Sequence, residues 1–122
     1  MPFAPVVLEE HAKEYFPDWN ENHVAARFMT ITYDASDIAK KNIPAAVHVD
    51  NTARPQVIRR EDNPDYYDIV RAYHEMTGVA SVINTSFNMH EEPIVRTAEE
   101  AIVAFQTAEL DALVLGPFLV RA

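Results

Sequence analysis

Asn84-Thr85-Ser86-Phe87-Asn88 places amides and hydroxyls side by side in one short run. Such side chains, with the N–H groups of a loop, suit an anionic, oxygen-rich ligand. The run follows Val79-Ala80-Ser81-Val82-Ile83, whose apolar, partly β-branched residues read as a buried strand. Strand exits in open α/β sheets are frequent ligand sites. The competing reading is that Asn84, Ser86 and Asn88 satisfy the backbone of a turn. A second stretch runs from His48 to Gln56. There Asp50-Asn51 forms a turn pair and Arg54 follows. A guanidinium fork pairs bidentately with phosphate or carboxylate. The alternative is a surface arginine held by one of the many acids.

Other candidates are weaker. The 5 histidines, His11, His23, His48, His74 and His90, make no His-x-x-x-His or His-Glu-x-x-His pair, so a metal site within this chain is disfavoured. His11 and His74 fall on expected helices as packing or surface residues. His48 and His90 stand near the polar stretches and are open to ligand contact. Glu9-Glu10 and Glu99-Glu100 fit helix first turns, where acids complement the dipole. Glu91-Glu92 adjoins the polar loop and stays open as a carboxylate pair.

Composition narrows the classes. A chain of 122 residues with 48% hydrophobic content fits one globular domain. No apolar run approaches the roughly 18 residues of a membrane span, and no signal peptide is visible. There are 0 cysteines, which excludes disulfides and thiolate chemistry and suits a cytoplasmic setting. Lys and Arg number 10 against 19 Asp and Glu, a net charge of −9 with no basic stripe. Nucleic-acid binding is therefore disfavoured. The 2 glycines, Gly78 and Gly116, are too few for a Walker loop or a dinucleotide fingerprint. Any phosphate would be held by side chains and a polar loop, against an unfavourable overall field.

The elements that would position these residues follow from periodicity. Leu8 to Phe16 reads as a helix stopped by Pro17. Arg27 to Tyr33 and Ala45 to Val49 read as strands, and Gln56 to Arg59 as a weaker one. Ser36 to Asn42 is too short and polar to assign. Asn63 as cap and Pro64 at the first position open a helix with Tyr66, Ile69, Val70 and Tyr73 as its apolar stripe, closed by Gly78. Val79 to Ile83 is the buried strand. Thr97-Ala98-Glu99-Glu100 is a capping box opening a helix through Phe105, with Ala98, Ala101, Ile102 and Phe105 facing the core. Asp111 to Leu115 and Phe118 to Val120 close the chain as strands around Gly116-Pro117. Strands interleaved with helices indicate an α/β or α+β domain spanning 1–122.

Three blocks then carry a resemblance. They are Pro2-Phe3-Ala4-Pro5-Val6-Val7-Leu8-Glu9-Glu10; His48-Val49-Asp50 with Thr52-Ala53-Arg54 and Gln56; and Asn84-Thr85-Ser86-Phe87-Asn88 with Glu92-Pro93-Ile94-Val95. In this order, and continuing to Leu113-Val114-Leu115-Gly116, they make the chain similar to the C-terminal domain of the O-carbamoyltransferases that decorate nodulation factors, cephamycins and aminoglycosides. The resemblance implies a YrdC-like, twisted mixed sheet flanked by helices in a single compact domain. It implies that carbamoyl phosphate and ATP are substrates, joined as carbamoyl adenylate. The partner it implies is a large N-terminal nucleotide-binding domain of the same protein. That domain carries the metal ion and moves the carbamoyl group to the hydroxyl of a small-molecule acceptor. No nucleic acid, membrane or metal within this chain is implied.

Residue by residue, Ser86-Phe87-Asn88 matches the family's Ser-x-Asn element and Arg54 its Thr-Ala-Arg block. Arg54 would clamp phosphate, while Ser86 and Asn88 would orient phosphoryl or carbamoyl oxygens. Asn84, Thr85 and His48 are further substrate-binding candidates. The family's Lys-x-Arg element lies just before the Pro-Phe-Ala-Pro block. The expectation is therefore a fragment of a longer two-domain protein, inactive or only a weak ligand binder alone. A fragment with an exposed apolar face would also be prone to form a homo-oligomer. Two usual family glycines are replaced by Asn51 and Glu91. Asparagine accepts positive φ more readily than glutamate, and Glu91 adds charge beside the loop. The other expectation, of a different class, is a non-catalytic module that docks on the large domain and completes its active site.

Overall fold

Ala4-Pro5-Val6-Val7-Leu8 lacks any alternating polar residue, the pattern of a strand covered on both faces. In the computed structural model, which describes residues 3–122, this run is strand β1 (Ala4–Leu8), buried along its whole length. The first resemblance block begins at Pro2, which lies outside the described residues. The chain divides into two compact units, Met1–Thr85 and Ser86–Ala122.

In the first unit, β1 is the centre of a mixed sheet. It runs parallel to β4 (Gln56–Ile58) and antiparallel to β5 (Ser81–Asn84). Helix α1 (Glu9–Tyr15) follows β1 directly. The helix expected from Leu8 thus starts one residue later, because Leu8 itself is extended and completes the strand. Val6, Val7, Leu8, Phe16 and Val70 are fully buried at the heart of the core. Each such side chain contributes on the order of 1.5–3 kcal/mol by leaving water. The Tyr15 hydroxyl accepts from Asn42 Nδ2 at 3.0 Å and from the Ala80 N–H at 3.3 Å. The buried Ser81 donates its hydroxyl to the Val6 carbonyl at 2.6 Å.

Two expected strands are absent. Residues 27–33 alternate large side chains, yet Val24–Phe28 forms a 3-10 helix and Met29 takes a left-handed backbone at φ 55. The Thr30 hydroxyl closes this turn on the Ala25 carbonyl at 2.8 Å, and Phe28 and Ile31 stay exposed. Their alternation therefore has no core to face. Only β2 (Tyr33–Asp34) remains, paired with β3 (Thr52–Ala53). The strand expected over 45–49 is instead a 3-10 turn at Pro44–Ala46 followed by a tight turn. Proline at the first position favours that helical entry. His48 N–H then reaches the Thr52 carbonyl at 2.7 Å, and Asn51 N–H the His48 carbonyl at 3.0 Å. The unassigned segment after Ser36 is helix α2 (Asp37–Asn42), capped by Ser36 Oγ on the Ala39 N–H.

Helix α3 (Pro64–Thr77) forms as its signals indicate. Asn63 accepts from the Tyr66 N–H at 3.2 Å, and Gly78 closes the helix at φ 75. Its stripe is narrower than expected, because Ile69 and Tyr73 are exposed. The strand after it begins and ends later than 79–83. It lies at a sheet edge, so Ser81 is buried while Ile83 points to solvent.

The second unit holds helix α4 (Ala98–Thr107) and the hairpin of β6 (Ala112–Leu115) and β7 (Phe118–Arg121). The capping box at Thr97 and Glu100 is formed in both directions. Ala101, Phe105 and Leu113 make a small core with Phe87, Val95 and Leu115 beside it. Ala98 and Ile102 lie outside it, exposed, because the buried face runs through Ala101, Ala104 and Phe105. Helices flanking a mixed sheet are the α/β arrangement expected. Among the described residues no helix is long and apolar enough to cross a membrane.

Candidate functional site

The register of the three-stranded sheet creates the most suggestive polar cluster. Gln56 on β4 lies opposite Val6, and Asn84 on β5 lies opposite Ala4. Positions 4 and 6 share one face of β1, so the two amides project on the same side of the sheet. They meet there, Asn84 Nδ2 donating to Gln56 Oε1 at 2.7 Å. Asn84 Nδ2 also faces the thioether of Met29 at 3.5 Å. The Met29 carbonyl in turn accepts from Arg54 Nη1 at 3.0 Å. The left-handed turn at Met29 thus holds both Arg54 and Asn84. A cavity of about 270 Å³ opens beside Gln56, with Phe28, Ile58, Asn63 and Tyr66 among its walls.

Arg54 is half-buried, and among the described residues it makes no ion pair with a carboxylate. Arg59, by contrast, is engaged by Glu61 at 2.7 Å and by Asp62 at 3.0 Å. Arg54 spends one of its N–H groups on a neutral carbonyl and keeps the rest of its fork. In a chain with 19 acids and 10 bases, an unpaired guanidinium is notable.

His48 is half-buried within its own turn. The Thr52 hydroxyl donates to Asp50 Oδ1 at 2.8 Å, and His48 Nδ1 lies 3.1 Å from the same hydroxyl. A hydroxyl has one proton to give, so the network assigns the Nδ1 proton to His48 and leaves Nε2 as an acceptor in the neutral ring. The Thr52 hydroxyl and N–H hold the Asp50 carboxyl below its ordinary value. Thr85 is exposed at the end of the first unit.

The Ser86 loop belongs to the second unit, and its polar groups serve the loop itself. Ser86 Oγ donates to Asn88 Oδ1 at 2.5 Å. Asn88 Nδ2 donates to the carbonyls of Met89 at 2.9 Å and Glu92 at 3.0 Å. Phe87 and Val95 close the loop through a backbone bond at 3.0 Å. Both amide protons of Asn88 are thereby used, and a ligand would exchange for these bonds or take the remaining lone pairs. Asn51 and Glu91, which the resemblance places where glycine is usual, have left-handed backbones at φ 68 and φ 65. The exposed Glu91 carboxylate lies 3.9 Å from His90 Nε2.

Sequence reasoning missed Met29 and Gln56 as members of the cluster. Met29 carries no left-handed signature and was expected inside a strand, so nothing local marks it. Gln56 ends the second polar stretch and stands in the second resemblance block, but it was given no ligand role. Among the described residues no group of three or more His, Asp or Glu is placed to hold a metal ion.

Comparison with known proteins agrees with this picture of a domain-sized segment. The family model described as "Carbamoyltransferase C-terminus" matches residues 1–122. Nodulation protein NolO of Bradyrhizobium diazoefficiens is 44% identical over 123 residues, covering 98% of this chain and 22% of that protein. An uncharacterized protein of Methanocaldococcus jannaschii is 40% identical, again over 98% of this chain and 19% of the relative. Nodulation protein NolNO of Sinorhizobium fredii is 39% identical, over 98% of this chain and 18% of the relative. The chain therefore spans about a fifth of the length of these relatives, and it belongs to the carbamoyltransferase C-terminal family.

Proposed function

We propose that this chain is the part of a carbamoyltransferase that binds carbamoyl phosphate and ATP for the formation of carbamoyl adenylate. The observation that carries this reading is Arg54: half-buried, free of carboxylates among the described residues, and fixed by Met29 next to the Asn84 amide. Carbamoyl phosphate is small and bears a phosphate near −2 at neutral pH. A charge-assisted bond to such a group contributes on the order of 1.5–3 kcal/mol. Making carbamoyl adenylate requires the carbamoyl group to lose its own phosphate to water. A carbamoyl oxygen then attacks the α-phosphorus of ATP, and pyrophosphate leaves. The nucleophile is a substrate oxygen, so no side chain need form a covalent bond. The protein's task is to hold repelling phosphates in line. Arg54 clamps phosphate. Ser86 and Asn88, in the loop of the second unit, offer a hydroxyl and an amide for ligand oxygens there once ligand replaces their internal bonds. His48 and Thr85 are outer contacts. Transfer to an acceptor hydroxyl then belongs to a larger N-terminal domain, which also carries the metal ion.

A second reading is favoured by the second unit. Phe118, Ile94, Val114 and Val103 are each about 60–70% exposed there. Exposed apolar side chains of this size mark interaction surfaces. In this reading the chain is a docking module for the remaining four-fifths of a longer protein, and Arg54 serves structure.

Calorimetric titration of the chain with carbamoyl phosphate separates the two. Saturable binding that Arg54→Ala removes, with far-UV circular dichroism unchanged, supports the substrate site. Equal binding in both forms ends that role for Arg54 and leaves the docking module.

A further inference from the structure

We infer that the groove between residues 92–95 and helix α4 docks a helical segment of a partner protein, one that sets apolar side chains between lysines or arginines. The groove lies wholly in the second unit and has a volume of about 430 Å³. The inference therefore does not rest on the substrate reading, in which Arg54 belongs to the first unit. Ala104 is buried in the groove, and its short side chain leaves the depth open. Ile94 and Val103 line it and are 65% and 60% exposed. Both are β-branched and stiff, so a partner orders them at little entropic cost. Nothing among the described residues covers them. Helix α4 commits Ala101 and Phe105 to the small core with Leu113, and Val103, two residues from each, stands on the far side of the helix.

The charge around these apolar walls is of one sign. Glu92, Glu99 and Glu100 border the groove, and no lysine, arginine or histidine does. Glu100 is already engaged. Its Oε2 accepts from the N–H groups of Arg96 at 2.7 Å and Thr97 at 3.3 Å, and its Oε1 lies 3.7 Å from the Arg96 guanidinium. Glu92 and Glu99 make no ion pair among the described residues. Apolar walls beside two free carboxylates complement an apolar side chain flanked by cations. A second copy of the chain fits less well, because it brings the same net charge of −9. The length of the groove sets the form of the partner. Glu99, Val103 and Thr107 stand four residues apart on one row of α4 and all line it. That row rises about 12 Å, two turns of helix. It matches a partner helix laid along α4, with apolar anchors one turn apart and basic residues beside them.

The test is a titration of the isotope-labelled chain with three capped peptides of about twelve residues, followed through amide shifts by NMR. The first peptide carries leucines one turn apart with lysines on either flank, in an alanine background. Glutamate replaces lysine in the second, and serine replaces leucine in the third. The first should bind saturably, with a Kd on the order of 10–100 μM, and shift the amides of residues 92–95 and 99–107. The other two should bind at least roughly tenfold more weakly. In the chain, Val103→Ser and Ile94→Ser should each weaken the first peptide by roughly tenfold, and Glu92→Gln with Glu99→Gln by about threefold to tenfold. All four positions are exposed, so far-UV circular dichroism should not change. Equal binding of the leucine and serine peptides, or shifts spread over the acidic surface outside the groove, would reduce the attraction to net charge and overturn the inference. So would binding that survives Val103→Ser and Ile94→Ser, no binding of the first peptide, or a dimer of the chain that closes over these amides. Loss of peptide binding in a longer form of the protein that carries the remaining four-fifths would show the groove filled from within. That result would overturn the separate partner and favour the docking reading.

Discussion

The two polar stretches that stood out as ligand candidates end in opposite states. At the rim of the first unit, Arg54 spends one N–H on a carbonyl, and the Asn84–Gln56 pair keeps one acceptor and one donor unspent. In the second unit, Ser86 and Asn88 bond each other and the carbonyls of Met89 and Glu92. The difference lies in what holds the backbone. In the first cluster Gln56 and Asn84 stand on β4 and β5, whose peptide groups are paired with β1, so their side chains are free for other work, and Arg54 follows directly on β3. A loop has no ladder, and short polar side chains there satisfy the backbone first. Residue type alone says which groups bond well. The support beneath them decides whether they remain available.

The largest test of that contrast is to remove the support. Leu8 is fully buried in β1, and Leu8→Ala should destabilise the first unit by about 4 kcal/mol, whereas Leu113→Ala in the smaller core of the second should cost about 2 kcal/mol. Native-state hydrogen exchange at the amides of each unit would show whether the losses are confined as expected. The next effect is functional. Arg54→Ala should weaken carbamoyl phosphate binding by roughly tenfold to a hundredfold, and Ser86→Ala by less than about threefold, because the Ser86 proton already serves Asn88. Calorimetry with both variants measures this. An equal loss would mean that the loop opens to ligand and that the contrast drawn above is wrong.

A third comparison concerns strained backbone. Glu91 and Asn51 are both left-handed, but only Asn has a short side chain suited to that region. Glu91→Gly should raise stability by about 1 kcal/mol, seen as a higher melting temperature, and Asn51→Gly should change it by less than about 0.5 kcal/mol. The smallest effect is confined to alkaline pH. A hydrogen bond to the Glu10 carboxylate, with burial adding to it, pushes the Tyr67 phenol up to about 12 from an ordinary 10.0. The raised value favours the protonated phenol in the folded chain. Its contribution is fully present below pH 10 and is lost as pH rises toward 12. Denaturant titrations should show a decline across that window, and Tyr67→Phe should flatten it.

Signals that act over a few residues were readable from the chain. Asn63 caps α3 through a bond to Tyr66, three residues on, and Thr97 and Glu100 close a box of the same span. Gly78 and Gly116 turn left-handed where glycine is expected to. The carbamoyltransferase blocks were likewise legible in order. The turn at Met29 was not, because methionine carries no preference for positive φ and the flanking large residues imitate strand alternation. The strand β1 was not assigned, because Pro5 interrupts its short apolar run and Leu8 fits the helical spacing that follows.

The sequence by itself determined the helix boundaries set by caps, the α/β character, the acidic surface and the family, since each rests on local chemistry or on an ordered set of motifs. Only the tertiary structure decided that β1 inserts between β4 and β5 and so brings Gln56 to Asn84 across 28 positions of chain. It also decided that Arg54 faces a carbonyl and no acid among the described residues. Both outcomes depend on strand order and register, which are set by how the whole unit buries its apolar surface, and no short stretch of residues contains that information.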